Sequence, residues 1–235
     1  MLNYSKKWYI IRKKYNSLLL FINFICYIIL LIRGDIMAII VHINRSYSCK
    51  MVVSMDVKNK LEMLTQSTPS DLVYKFALDN KFPINIRELL NKLDIKVIPY
   101  DFSNLEKHLY KNQVMKRGVI LGAVVSTEDE IGIFYRKDDP EVRIRFTLAH
   151  ELAHCCLHPD DVKEHIEFRN DCKNPDDKEY AANVFAGKLL IPEEQLKYAI
   201  NNLIEPKIEF LTKIFGVSTH VMQARLNYLN IKIND

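Results

Sequence analysis

From Asp71 onward, the apolar residues fall into two spacings, and each predicts a different kind of element. Residues 71–82 and 85–93 place apolar side chains at three- and four-residue intervals and predict two helices, with Pro83 between them. Residues 95–99, 119–125 and 131–135 are short runs rich in β-branched residues and predict strands, the last two joined through the polar turn 126–130. A longer helical pattern follows. Ile144, Phe146, Leu148, Leu152 and Leu157 supply apolar positions around a buried helix, with Thr147 as an early-turn residue. Residues 179–190 carry the stripe Ala182, Phe185, Ala186, Leu189 and Leu190 and end before Pro192. Residues 208–215 and 221–229 predict two more helices around Gly216-Val217-Ser218, with Ser218 as cap of the second. The sum is an α+β domain with a small sheet ahead of a buried helix and a mainly helical carboxyl half. The roughly 180 residues after Met55 are enough for one domain with its own core.

The buried helix carries His150-Glu151-Leu152-Ala153-His154. Side chains four apart on a helix rise from one face, so both imidazoles can reach one metal ion. Glu151 points about 100° away around the helix and can touch a water at that ion without ligating it. Two imidazoles satisfied by hydrogen bonds in a core are the plain alternative. A third ligand has three candidates: His158, His165 and Glu179. His158 lies about 12 Å from His150 along a straight helix, beyond the reach of a shared ion. It reads instead as a helix-end residue before the breaker Pro159. His165 falls in a polar stretch and is expected to face solvent. Glu179 opens the second helix, where Asn183 shares its face and small Ala181, Ala182 and Ala186 permit close approach to another helix. A surface acid favoured by the helix dipole is the alternative for Glu179.

The run Arg145-Phe146-Thr147-Leu148-Ala149-His150-Glu151-Leu152-Ala153-His154, closed by Leu157-His158, resembles the signature of the ImmA/IrrE family of metallo-endopeptidases. Glu179-Tyr180-Ala181-Ala182-Asn183-Val184-Phe185-Ala186, followed by Leu189-Leu190-Ile191-Pro192, is similar to that family's second hallmark. The resemblance extends over roughly residues 70–230. It implies a zincin-like fold with a small sheet packed on the HExxH helix. It also implies zinc held by His150, His154 and Glu179, with Glu151 as catalytic base. The activity it implies is cleavage of a peptide bond in a protein, often a helix-turn-helix repressor that silences a mobile element or a stress response. Tyr135, Tyr180 and His158 are candidate second donors to the oxyanion, and spacing does not choose among them. If strand 131–135 edged the cleft, Gly132 and Ile133 would meet the substrate backbone. A purely structural hairpin is the alternative.

Charge divides the chain. Residues 1–55 hold 8 basic residues against one acid, Asp35, whereas the other 180 hold 25 basic and 28 acidic residues. The overall charge of +4 therefore comes from the tail, and the domain from residue 56 to 235 lacks the basic surface of a nucleic-acid binder. Direct nucleic-acid binding is not expected. The helix-turn-helix at the carboxyl end keeps a rival alive, a DNA-binding regulator on a decayed peptidase scaffold, yet its second helix offers only Arg225 to phosphates. In the tail, residues 18–32 form an apolar run flanked by positive charge. At about 22 Å as a helix, it is shorter than an ordinary membrane span. Three readings stand: a short membrane anchor for a tethered peptidase, a signal peptide, or sequence upstream of a true start at Met37, Met51 or Met55. The family resemblance implies a cytoplasmic enzyme. Five cysteines, Cys26, Cys49, Cys155, Cys156 and Cys172, show no zinc-finger spacing, and at least one of the adjacent pair Cys155-Cys156 is expected to pack as a small hydrophobe.

Overall fold

The computed structural model describes residues 57–76, 82–111, 119–126, 130–164, 167–170, 177–203 and 206–233. The expectations for the tail, with its run 18–32, and for His165, Cys26, Cys49 and Cys172 lie outside these residues. The described residues begin with α1 (Val57–Thr65), which buries Val57, Leu61 and Leu64 on one face. Next comes α2 (Pro69–Lys75), closed at its start by a capping box in which Thr68 and Asp71 exchange hydrogen bonds. The Asn85 side chain caps α3 (Ile86–Lys92), and the left-handed residue Asp94 then turns the chain into β1 (Ile95–Tyr100). Buried Lys60 on α1 fixes that turn, its Nζ donating to the Asp94 carbonyl at 2.8 Å and the Asp94 carboxylate at 2.9 Å. After α4 (Ser103–Lys111) come the hairpin strands β2 (Ile120–Ser126) and β3 (Ile131–Arg136) and the long helix α5 (Glu141–Leu157). The chain continues through α6 (Pro159–Glu164), β4 (Glu167–Asn170), α7 (Asp177–Leu190), α8 (Glu193–Asn202), α9 (Ile208–Phe215) and α10 (Thr219–Tyr228).

The four strands form one mixed sheet in the order β1-β3-β2-β4, with β1 parallel to β3 and the other pairs antiparallel. Strand β3 is interior. Gly132 lies opposite Lys96 on one side and Val125 on the other, and Ile133 opposite Val97 and Val124. Both edges of β3 are therefore paired, so it offers no ladder to a substrate. The structural hairpin is what the fold contains, and the sheet's edges are β1 and β4.

Helix α5 runs against β2, β3, α1, α3 and α7, and residues 147–156 are all buried. A helix covered on every side must be apolar or have its polar groups satisfied, which makes His150, Glu151 and His154 conspicuous. Because α5 starts at Glu141, behind Pro140, Thr147 sits mid-helix and not in an early turn. The helix predicted over 71–82 instead starts at Pro69 and stops at Lys75, with Phe76 as cap. Phe82 is in a bend, as expected of a residue before proline.

Two arginines tie the helical half together. Arg145 on α5 donates to the carbonyls of Ile84 and Gly216, each at 2.9 Å. Gly216 ends α9 in the left-handed conformation with φ 61°, and a Cβ there would come 2.9 Å from Pro83. Arg225 on α10 is buried and donates to the Ile191 carbonyl at 3.0 Å. The cation on which the DNA-binding reading depended is thus turned into the fold. Among the described residues, no helix is long and apolar enough to cross a membrane.

Candidate metal centre

Two helices each supply a pair of residues one turn apart. On α5 these are His150 and His154, and on α7 they are Glu179, in the first turn, and Asn183. The helices can lie close because Ala149 and Ala153 on α5, and Ala182 and Ala186 on α7, are fully buried small residues. His150 Nε2 and His154 Nε2 are 3.0 Å apart. His150 Nε2 lies 3.3 Å from Glu179 Oε2, and His154 Nε2 lies 3.3 Å from Glu179 Oε1.

These separations suit a common ion. Donors at roughly 2.05 Å from a tetrahedral metal lie about 3.3 Å from one another. Two nitrogens 3.0 Å apart, each 3.3 Å from a different oxygen of one carboxylate, are the donor types of such a site at roughly its spacing, and the three residues form a group able to hold a metal. The far side of His150 fits as well. Its Nδ1 lies 3.0 Å from Asn183 Oδ1. Since an amide oxygen only accepts, Nδ1 carries the proton, which leaves the Nε2 lone pair directed at the cluster.

Both imidazoles are essentially inaccessible, while the Glu179 side chain keeps 29 % of its exposure, so the cluster opens on the carboxylate's side. Burial by itself raises the Glu179 carboxyl. Hydrogen bonds with His150 and His154, and their positive charge when protonated, together outweigh that cost and hold it below the usual carboxylate range. Glu179 is accordingly an anion throughout the neutral range.

Glu151 is 1 % exposed, and its carboxylate lies beside β2, on a face of α5 about 100° around from His150. A Cβ on Gly122 of β2 would lie only 2.7 Å from its Oε1. Gly122 went unremarked in the sequence, although a glycine inside a strand pattern often marks a close approach. Asn183 was legible as a face-mate of Glu179, but its bond to His150 was not. Of the three candidate oxyanion donors, His158 is the one with a ring contact to the cluster, its centroid 5.6 Å from that of His154. It caps α5, its N–H donating to the His154 carbonyl at 2.9 Å. Tyr135 is buried with its ring 4.8 Å beneath the Arg87 guanidinium, and Tyr180 is exposed.

Residues 91–227 match the family described as the IrrE N-terminal-like domain of peptidase M78, more than half of the chain. The chain belongs to the peptidase M78 family. No curated protein and no solved structure matches it. As an M78 peptidase, it has the α+β, zincin-like domain expected of the sequence, and the matched segment contains both helices of the cluster.

Cys155 and Cys156 follow His154 directly and are both buried, and burial pushes the Cys156 thiol up to about 12. At pH 8 the thiolate fraction of such a group is on the order of one in ten thousand. Native M78 peptidase treated with iodoacetamide at pH 8 is therefore expected to carry no label on the peptide containing Cys155 and Cys156, and full label after denaturation. Peptide mass spectrometry checks this, and rapid labelling of the native protein would show that the helix opens readily.

Proposed function

We propose that this M78 peptidase is a zinc-dependent endopeptidase in which His150, His154 and Glu179 hold the metal and Glu151 is the general base. The observation that carries the reading is the convergence of three donor side chains from two helices at 3.0 to 3.3 Å, with the outer nitrogen of His150 held at 3.0 Å from Asn183. Zinc, when bound, supplies Lewis acidity to a water molecule and to the scissile carbonyl. The chain's own groups supply the rest. His150 and His154 bind through Nε2, and Asn183 fixes the tautomer of His150. Glu179 contributes a negative charge that offsets half of the cation's. The Glu151 carboxylate takes the proton of the attacking water and returns it to the leaving amine nitrogen.

The substrate in this reading is a protein, namely a helix-turn-helix repressor of a mobile element or a stress response, cleaved in the cytoplasm. The family resemblance supports that choice. The inward Arg225 speaks against the chain itself being the DNA-binding partner. Purified without added metal, the protein is expected to carry close to one zinc per chain by atomic emission. It is also expected to cut a repressor encoded beside it when the two are mixed. A folded protein that neither retains nor takes up zinc overturns the assignment.

A further inference from the structure

Helix α5 has two chemical faces. His150 and His154 look toward α7, whereas Thr147 and Glu151, also four apart, look toward β2. At the point where β2 meets that second face stands Gly122, paired with Tyr135 on β3 and Arg169 on β4. Its backbone does not require glycine. Among the described residues, the one glycine with positive φ is Gly216. What Gly122 provides is room. A Cβ there would fall 2.5 Å from Thr147 Cγ2, 2.7 Å from Glu151 Oε1 and 3.2 Å from the Phe134 carbonyl oxygen.

These three neighbours differ in how far they can yield. The Phe134 carbonyl belongs to the β2–β3 ladder. Thr147 is β-branched and stiff within a helix. The Glu151 carboxylate hangs at the end of a flexible side chain and is the group that moves. We propose that Gly122 is a positioning residue for the peptidase reaction: its missing side chain seats the Glu151 carboxylate where it can exchange a proton with a ligand held by His150, His154 and Glu179. The proposal rests on Glu151 being the base.

The test needs no substrate. Cobalt(II) is loaded in place of zinc, and acetohydroxamic acid is titrated against the visible spectrum of the cobalt protein. With cobalt held by His150, His154 and Glu179, the hydroxamic acid would bind as its anion, the N-hydroxyl proton passing to the Glu151 carboxylate. Wild type, Glu151→Gln, Gly122→Ala, Thr147→Ser and the double variant Gly122→Ala/Thr147→Ser are compared, each expected to bind one cobalt because no ligand is altered. Glu151→Gln is expected to weaken the hydroxamate by at least about tenfold, the scale of a hydrogen bond to a charged group. Gly122→Ala is expected to show the same loss, and Thr147→Ser to match wild type.

The double variant decides the matter. It lacks the threonine methyl, the nearest contact, and is the variant to use where Gly122→Ala alone does not fold; of the two contacts that remain, Glu151 Oε1 at 2.7 Å is the closer and the Phe134 carbonyl oxygen at 3.2 Å the looser. A retained loss supports the proposal. Wild-type affinity in the double variant overturns it, since the glycine would then serve only to accommodate Thr147. Wild-type affinity in Glu151→Gln overturns the base assignment itself, and the positioning role with it.

Discussion

Glu151→Gln is expected to bind zinc and fold as wild type does while losing about 10²- to 10⁴-fold in kcat, the range attributed to a positioned acid–base group. Glutamine fills the same volume between α5 and β2, so the close fit against Gly122 and Thr147 survives. It differs in one respect that matters: an amide cannot accept and return a proton. The change leaves metal affinity alone because Glu151 lies on a different face of α5 from His150 and His154, whose Nε2 atoms meet Glu179. Stability is not expected to fall either, because a buried carboxylate becomes a neutral group of the same shape. The measurements are kcat on a cleaved repressor, zinc per chain, and the denaturation midpoint. Undiminished cleavage with zinc in place removes Glu151 from the chemistry.

The pair His150 and His154, with Glu151 between them, was legible because the relation among them is local: four residues on a helix suffice to bring two side chains together. Glu179 was a candidate by its place in the first turn of a strongly patterned helix whose alanines permit close packing, and the family resemblance was what set it above a surface acid. What no local period encodes is where β2 crosses α5. The contact between Gly122 and Glu151 joins positions 29 residues apart and depends on the register of the whole sheet. Whether Gly132 and Ile133 edge a cleft or belong to a structural hairpin stays open in the sequence for the same reason. Sequence order gave the hairpin but not the parallel pairing of β1 that closes the second edge of β3.

Two missed elements show a different limit. Strand β4 is only four residues, Glu-Phe-Arg-Asn, with no β-branched residue. It is a strand because it pairs with β2, and side-chain propensity does not announce it. Helix α4 was hidden because one of its buried residues is Glu106, a charge inside the expected apolar stripe. That carboxylate accepts the Ile120 N–H at 2.7 Å and pairs with Arg136, so it anchors the start of β2 to the end of β3. Buried charges of this kind are readable only once their partners are in place.

Glu179→Ala is expected to lower zinc affinity by more than about a hundredfold, because loss of an outer-shell partner already costs 10- to 100-fold. Asn183→Ala supplies that smaller reference on the same helix. It leaves all three donors intact and frees only the His150 ring, whose Nδ1 lies 3.0 Å from Asn183 Oδ1. The order Glu179→Ala well above Asn183→Ala, and Asn183→Ala above wild type, in zinc dissociation constant is what separates a ligand from its support. The direction follows from charge as well as from donor count. Without that carboxylate, two neutral imidazoles would hold a divalent cation at a largely buried position with no anionic ligand to offset its charge. Competition titration against a chromophoric chelator near neutral pH measures all three constants. Full zinc affinity in Glu179→Ala would mean that the third donor lies elsewhere in the chain.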